Sequence, residues 1–424
     1  MLFNTILGAA ATIFAVTLIL VILLLFIKAK LTPSGSVSID INNGSKVLDV
    51  PMGSDVMHTL ADKGIFLPSA CGGKANCGQC KLRVLDGGGT ILPTETGFFS
   101  RKQIKEGWRL ACQVKVKDNL KLAVPESVLD VQKLECEVIS NHNVASFIKE
   151  FTVKLPAGKH LKYRSGQYIQ IDIPKGVFDY KDIDVDPEYK ATWERYNFFD
   201  LKCVNPENTV RAYSMASYPE EGDIIKLNVR IATPPFDRNA PKGSNKLLPV
   251  NPGIASSYVY TRHPGDIVNI SGPFGDFLLP ENEPEQTEYI FVGGGAGMAP
   301  LRSHIMHLFR TEHTTRKVSF FYGARSLSEA FYLEDYWAIE KDFPNFKFYL
   351  TLDRPDPAAD EAGVKYSAGF VAPEMGRLYL NEHEAPEDIQ YFMCGPPMLV
   401  KTVEDLLDSL GVNLETNLHF DNFG

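Results

Sequence analysis

Between Pro68 and Cys80 the chain sets three cysteines, Cys71, Cys77 and Cys80, within ten residues and interleaves them with Gly72, Gly73 and Gly78. No other feature narrows the fold as far. Seven cysteines in 424 residues is an odd number in a long chain, whereas a secreted disulfide scaffold is short and cysteine-dense, so the clustering points to metal ligation in a reducing compartment. Two irons bridged by sulfide need four thiolates converging on a small volume, and glycines let the backbone curl and turn its N–H groups toward the sulfurs. The fourth ligand must come from elsewhere. Cys112, in Trp108-Arg109-Leu110-Ala111-Cys112-Gln113, follows a long segment and opens the alternating run Val114-Lys115-Val116, expected as a strand that returns to the loop. A structural zinc site or buried thiols are the alternatives; structural zinc usually pairs two compact ligand dyads, and no second CxxC or HxxxH is present. Upstream, Val37, Ile39 and Ile41 alternate with polar residues, Asn43-Gly44 supplies a hairpin turn and Val47 to Val50 resumes extended character, with Ser54 the expected N-cap of a helix ending near Gly64.

From Ile6 to Ile27 runs a charge-free, almost wholly apolar stretch, which as a helix rises about 33 Å against a hydrocarbon core of about 30 Å. A signal peptide would have a shorter apolar region behind a basic one. Here no Lys or Arg precedes the stretch and Lys28 and Lys30 follow it. An uncleaved single-pass anchor over residues 3–27 is therefore expected, with the remaining chain on the cytoplasmic side by the positive-inside bias. The overall charge of −9 is unevenly spread: residues 36–130 hold 12 Lys and Arg against 10 Asp and Glu, so the surplus of acid falls beyond residue 130. With no dense basic face, nucleic acid is not expected as a partner.

Beyond residue 130 two regions of different rhythm follow. Residues 131–280 read as short alternating strands broken by Gly and Pro, the pattern of a small antiparallel barrel. On it lie Arg211-Ala212-Tyr213-Ser214, where alternation puts Arg211 and Tyr213 on one face, and Gly253-Ile254-Ala255-Ser256-Ser257-Tyr258. Two insertions, 176–205 and 233–252, are expected to be surface loops. In residues 286–424, Tyr289 to Val292 form an apolar run, then come Gly293, Gly294, Gly295 and Gly297, then helical spacing in Leu301, Ile305 and Leu308. Strand, glycine turn and helix in that order bring a pyrophosphate to the backbone at a helix N-terminus. A second strand and turn follow in Tyr391-Phe392-Met393-Cys394-Gly395-Pro396-Pro397-Met398.

These motifs carry resemblances. The cysteine loop with Cys112 resembles β-grasp ferredoxins; five residues separate Cys71 from Cys77, against four in the plant-type pattern, which is closer to the adrenodoxin type. Arg211-Ala212-Tyr213-Ser214 resembles the R-x-Y-S element of the ferredoxin-NADP reductase superfamily. That resemblance implies FAD, with Arg211 at its pyrophosphate, Tyr213 stacked on the isoalloxazine and Ser214 donating toward flavin N5. Gly253, Ser256 and Ser257 are similar to the superfamily's second phosphate element. Gly272-Pro273-Phe274-Gly275 then matches its Gly-Pro-x-Gly turn, and Cys394-Gly395-Pro396-Pro397 its C-G-P-P element, with Cys394 beside the nicotinamide ring and Gly395 and Pro396 shaping the pocket. Tyr322-Gly323-Ala324-Arg325-Ser326 ends a further strand and is a candidate for the adenosine ribose. Phe423 resembles the flavin-covering aromatic near the C-terminus.

The expected architecture is multidomain: an N-terminal transmembrane helix (3–27), a β-grasp 2Fe-2S ferredoxin domain (36–130), an antiparallel β-barrel FAD domain (131–280) and an α/β NADH-binding domain (286–424). A single span, the five-residue cysteine spacing, the long insertion before Arg211 and the Asp421-Asn422-Phe423-Gly424 terminus together resemble the family of F subunits of the Na+-translocating NADH:quinone oxidoreductases over essentially the whole chain. The resemblance implies NADH as donor, electrons passing from FAD to the 2Fe-2S cluster, and onward transfer through other membrane subunits to ubiquinone, coupled to sodium export. The alternative readings are the reductase of a multicomponent oxygenase, generally without a membrane span, and a membrane-tethered redox sensor.

Overall fold

The computed structural model describes residues 12–23, 35–69, 71–129, 131–241 and 243–421. Of the expected anchor, residues 12–23 are helical, and every one of them is exposed although all but Thr12 and Thr17 are apolar or small. Thr17 returns its hydroxyl to the carbonyl of Ile13 (2.8 Å), so this short helix presents no unpaired side-chain hydroxyl there. Among the described residues no helix is long and apolar enough to cross a membrane; the rest of 3–27, and Phe423, lie outside them. The chain divides into two compact units, Met1–Pro68 with Gly73–Asp130, and Ser69–Gly72 with Val131–Gly424.

In the first unit, strands β1 (Ser36–Ile41), β2 (Lys46–Pro51), β3 (Lys81–Asp86), β4 (Trp108–Leu110) and β5 (Leu120–Ala123) form a mixed sheet in the order β2-β1-β5-β3-β4. The turn between β1 and β2 places Asn42, Asn43 and Gly44 at positive φ, as the Asn-Gly pair leads one to expect. Ile39 and Ile41 alternate inward and meet Val56 and Leu60 of the helix Val56–Asp62, along with Leu82, Leu110 and Leu122. Asp55, not Ser54, caps that helix: its Oδ1 accepts from the His58 N–H (3.0 Å). Ser54 is still held in extended pairing, its carbonyl accepting from Val116 N–H (2.9 Å). The expected strand at Val114-Lys115-Val116 is correspondingly reduced to one bridge, Asp55 to Lys115, because its partner turns into a helix after a single residue. The strand next to Cys112 is instead β4, on its N-terminal side.

In the second unit, β6 (Gln132–Ala145), β7 (Ile148–Lys154) and β8 (Tyr168–Ile173) are followed by a separate hairpin, β9 (Gly176–Asp179) and β10 (Lys202–Asn205). Then come β11 (Thr209–Ser214), β12 (Ile224–Arg230) and β13 (Ile267–Phe274). The antiparallel order β11-β8-β13-β6-β7-β12 closes on itself where Met215 bridges Leu227 and Ala216 N–H donates to the Lys226 carbonyl (2.7 Å). It is the expected barrel. Gly272-Pro273-Phe274, expected in a turn, continues β13 with a register shift after Ser271, because Phe274 still pairs with Tyr168.

The insertion 176–205 is not a surface loop. The β9–β10 hairpin and the helix Pro187–Arg195 bury Phe178, Tyr180, Trp193, Phe198 and Cys203 in the barrel core. Trp193 stacks on Tyr260 with ring centroids 5.8 Å apart and donates its indole N–H to the Ser146 carbonyl (2.7 Å). The insertion 233–252 is largely exposed, with one bridge from Phe236 to Leu247.

Strands β14 (Tyr289–Gly294), β15 (Val318–Ala324), β16 (Phe346–Leu352), β17 (Ser367–Ala368), β18 (Gln390–Cys394) and β19 (Leu418–Asp421) make a wholly parallel sheet in the order β17-β16-β15-β14-β18-β19. Helices cover both faces, as parallel strands buried on two sides require. Leu301, Ile305, Tyr336 and Ile339 pack on one face and Val371, Met375, Val403 and Leu407 on the other. The chain order reverses between β14 and β18. Ligands of open α/β sheets bind beyond the carboxyl ends of the strands at such a switch point.

Candidate functional site

The cysteine loop is turned by Gly72, Gly73, Ala75 and Gly78, all at positive φ. At Gly78 a Cβ would lie 2.4 Å from the Phe98 ring, so here both the backbone angle and the space favour glycine. Cys71 and Cys77 are half-buried, while Cys80 and Cys112 are buried with their sulfurs 3.5 Å apart. Two thiolates on one tetrahedral metal with bonds of about 2.3 Å sit about 3.8 Å apart, so this pair is spaced as two ligands of one metal ion would be. The Cys80 thiol is held far above its ordinary value, first by its hydrogen bond to Cys112, then by burial, with Cys77 adding repulsion. Thiols that oppose one another's ionisation suit a site whose charge is completed by a cation. Among the described residues no three His, Cys, Asp or Glu side chains converge closely enough to hold a metal ion: Cys80 and Cys112 meet, and Cys71 and Cys77 do not complete a triad with them.

Behind the fourth cysteine lies an ion pair that sequence reasoning did not single out. Glu95 is fully buried. It accepts from Arg109 Nε (3.0 Å) and Nη2 (2.8 Å), from Leu110 N–H (2.9 Å) and from Leu92 N–H (2.9 Å), while Arg109 Nη1 donates to the carbonyls of Gly88 (2.9 Å) and Gly89 (3.2 Å). A carboxylate so fully satisfied fixes the 88–95 loop to β4, which leads into Cys112.

On the barrel, Arg211 Nη1 donates to Thr209 Oγ1 (2.8 Å) and the Val210 carbonyl (2.7 Å), which steers the guanidinium along β11. Burial pushes the Tyr213 hydroxyl upward. Gly253 begins the helix Ile254–Tyr260. The hydroxyls of Ser256 and Ser257 are committed within the protein: Ser256 Oγ accepts from Ala232 N–H (3.0 Å), and Ser257 Oγ donates to the Gly253 carbonyl (2.7 Å) and meets Tyr180 Oη (2.9 Å). What this turn offers a phosphate is backbone N–H.

At the switch point, β14 ends in Gly293-Gly294, Gly295–Gly297 form a tight turn, and the helix Met298–Met306 follows. A Cβ on Gly297 would lie 2.1 Å from the Cys394 carbonyl, so only glycine lets the helix start against the end of β18. Cys394 is buried, and Gly395-Pro396 lead into the helix Pro397–Ser409. Arg325 and Ser326, with Arg354 and Asp356, line an open cleft beyond β15 and β16.

Among the contacts that join these parts, two bear on the site, and neither was foreseen. Ser214 Oγ donates to Asp421 Oδ2 (2.6 Å), and Asp421 pairs in register with Cys394. Burial raises the Asp421 carboxyl despite the Ser214 bond, and burial with the Asp421 charge raises the Cys394 thiol. Second, Arg302 of the glycine-turn helix donates to the Ala216 carbonyl (2.8 Å) and Glu221 (2.9 Å), and Ser303 Oγ donates to the Ser217 carbonyl (2.7 Å). The sequence shows Asp421 only as a neighbour of the terminal aromatic; its partners become visible once β19 is placed beside β18.

Residues 39–117 match the family model of the 2Fe-2S iron-sulfur cluster binding domain, and 291–405 that of the oxidoreductase NAD-binding domain. The chain is 47% identical over 410 residues to the F subunit of the Na(+)-translocating NADH-quinone reductase of Pseudomonas paraeruginosa, covering 97% of this chain and 96% of that protein. It is 46% identical over 411 residues to the F subunit of the Na(+)-translocating NADH-quinone reductase of Actinobacillus succinogenes, covering 97% of each. Among solved structures, an Amycolatopsis cytochrome P450 reductase shares the fold with a TM-score of 0.61 at 21% identity, over 91% of this chain and 98% of that one.

Proposed function

From the premise that this chain belongs to the family of F subunits of the Na(+)-translocating NADH-quinone reductases, we propose how its residues perform electron input. The chain oxidises NADH by hydride transfer to FAD and passes electrons singly to a 2Fe-2S cluster and on to partner subunits. When bound, FAD converts a two-electron hydride into one-electron transfers, and the cluster takes one electron at a time.

The observation that carries the assignment is the meeting of Ser214, Asp421 and Cys394, through which the barrel and the parallel sheet share one wall. Arg211 and the backbone N–H groups that open the helix after Gly253 hold the FAD diphosphate, with Ser256 and Ser257 shaping that turn. Tyr213 stacks on the isoalloxazine. Ser214, which donates to Asp421 (2.6 Å), would serve the reacting edge of the bound flavin and could exchange a proton with that carboxylate. The turn of Gly293, Gly294, Gly295 and Gly297 receives the NADH pyrophosphate at the start of a helix. Cys394, Gly395 and Pro396 would wall the nicotinamide; Phe423, outside the described residues, is assigned the flavin-covering role on the family resemblance alone. Cys71, Cys77, Cys80 and Cys112 hold the iron pair.

Residues 36–130, 131–280 and 286–424 are the corresponding domains. Residues 3–27 anchor the chain in the inner membrane by a single pass with the domains on the cytoplasmic side, a reading supported by the uniformly exposed apolar residues 12–23. Membrane partners deliver the electrons to ubiquinone, coupled to sodium export; the anchor itself carries no charged residue, so the ion path belongs to those partners.

The test separates the two halves of the path. Cys71→Ala should abolish cluster absorbance and leave NADH oxidation by an artificial flavin acceptor intact. Loss of that oxidation with FAD still bound would refute the order of transfer.

A further inference from the structure

We propose that Gln113 sets the reduction potential of the cluster, by donating a side-chain N–H to the sulfur of Cys112. This rests on the assignment of Cys112 as a ligand. Cys112 is 4% exposed, so its sulfur depends chiefly on the protein, not on water, for hydrogen-bond donors. Gln113 Nε2 lies 3.8 Å from Cys112 Sγ and 3.3 Å from the Cys112 carbonyl. The other end of the amide is engaged: Gln113 Oε1 accepts from Thr94 Oγ1 (3.0 Å), which turns the NH2 group toward the sulfur.

Further hydrogen bonds frame the amide. Gln113 N–H donates to the Leu110 carbonyl (2.8 Å). Thr94 sits between Leu92 and Glu95, in the loop that the buried Glu95–Arg109 pair fixes to β4. These bonds orient the amide NH2 toward the sulfur.

A hydrogen bond to a ligand sulfur stabilises the more negative, reduced cluster more than the oxidised one, and so raises its potential. Gln113 would make the cluster a better acceptor from the flavin. Thr94 is a positioning residue, acting only through Gln113.

The experiment is a redox titration of the full-length protein followed by the paramagnetic signal of the reduced cluster, with iron content measured on each sample. Gln113→Leu should shift the midpoint to more negative values. Gln113→Glu, nearly the same size but presenting a carboxylate to the sulfur, should shift it further in the same direction. Thr94→Val should shift it the same way by less. An unmoved midpoint in Gln113→Glu at full iron content overturns the proposal; should that variant fail to hold iron, an unmoved midpoint in Thr94→Val does so. Cys112→Ser tests the underlying ligand assignment separately. A changed visible and paramagnetic spectrum upholds Cys112 as a ligand, and an unaltered spectrum removes it whatever the Gln113 variants do.

Discussion

Asp421 is an acid that the fold keeps from being an ordinary surface carboxylate. Burial raises its carboxyl, and its partners are the hydroxyl of Ser214 and the strand end at Cys394. On the proposed placement of the flavin, hydride brings a proton with its electron pair, whereas the cluster accepts electrons alone, so turnover would release a proton on the Ser214 side. If the ionised carboxylate takes it, activity falls as pH drops through the carboxyl's raised value. Asp421→Asn should slow NADH oxidation by an artificial acceptor about tenfold or more, and the acid limb of its rate profile against pH should vanish. At the neighbouring position, Tyr213→Ala should lower the flavin-to-protein ratio on purification; unchanged flavin content would remove the stacking role. The Arg-x-Tyr-Ser string was legible in the sequence because its residues are consecutive on one strand. Asp421 was not, since it lies 207 residues from Ser214 and no local pattern records that separation.

Among the elements, the strands bordering the glycine turn and Cys394 were readable for a physical reason. Each is a continuous apolar run closed by glycine, the signature of a strand buried on both faces. The insertion 176–205 was not readable in that way. Its hairpin uses two strands of four residues each, separated by a helix, too short for alternation to register, and only its aromatic content hinted at a core. Trp193→Ala should therefore cost about 3–5 kcal/mol, seen as a lower urea midpoint for flavin release; an unshifted midpoint would return the insertion to the surface. The Glu95–Arg109 pair was equally hidden, because its partners lie 14 residues apart on a loop and a strand. Breaking a buried pair strands a charge, so Arg109→Ala should destabilise the first unit by about 3–5 kcal/mol, measured as earlier loss of iron absorbance on heating.

For the molecule as a whole, acid should strike the second unit through His304. This residue is fully buried, its Nε2 donating to the Phe277 carbonyl (3.1 Å), and burial lowers its imidazole to about 3 from an ordinary 6.5. A lowered value means that the unfolded chain binds the proton more readily. The stability is present above pH 6.5 and is lost as pH falls toward 3, by up to about 5 kcal/mol. His304→Gln cannot charge and should show a smaller drop in urea midpoint between pH 7 and about 4.5; an equal drop would place the acid weakness elsewhere. Removing residues 1–34 should leave a chain that stays in the supernatant on ultracentrifugation and still oxidises NADH, as the proposed anchor, separate from the chemistry, requires. The contact of 3.5 Å between Cys80 and Cys112 bears on how the protein is made. A bonded sulfur pair is about 2.05 Å long, so these two neighbouring thiols lie close enough that an oxidant could join them and consume two cysteines at once. On the proposed ligand assignment, oxidation of the empty site would remove two of its four sulfurs, so exposure to air before iron and sulfide are supplied should lower the cluster yield until a reductant is added.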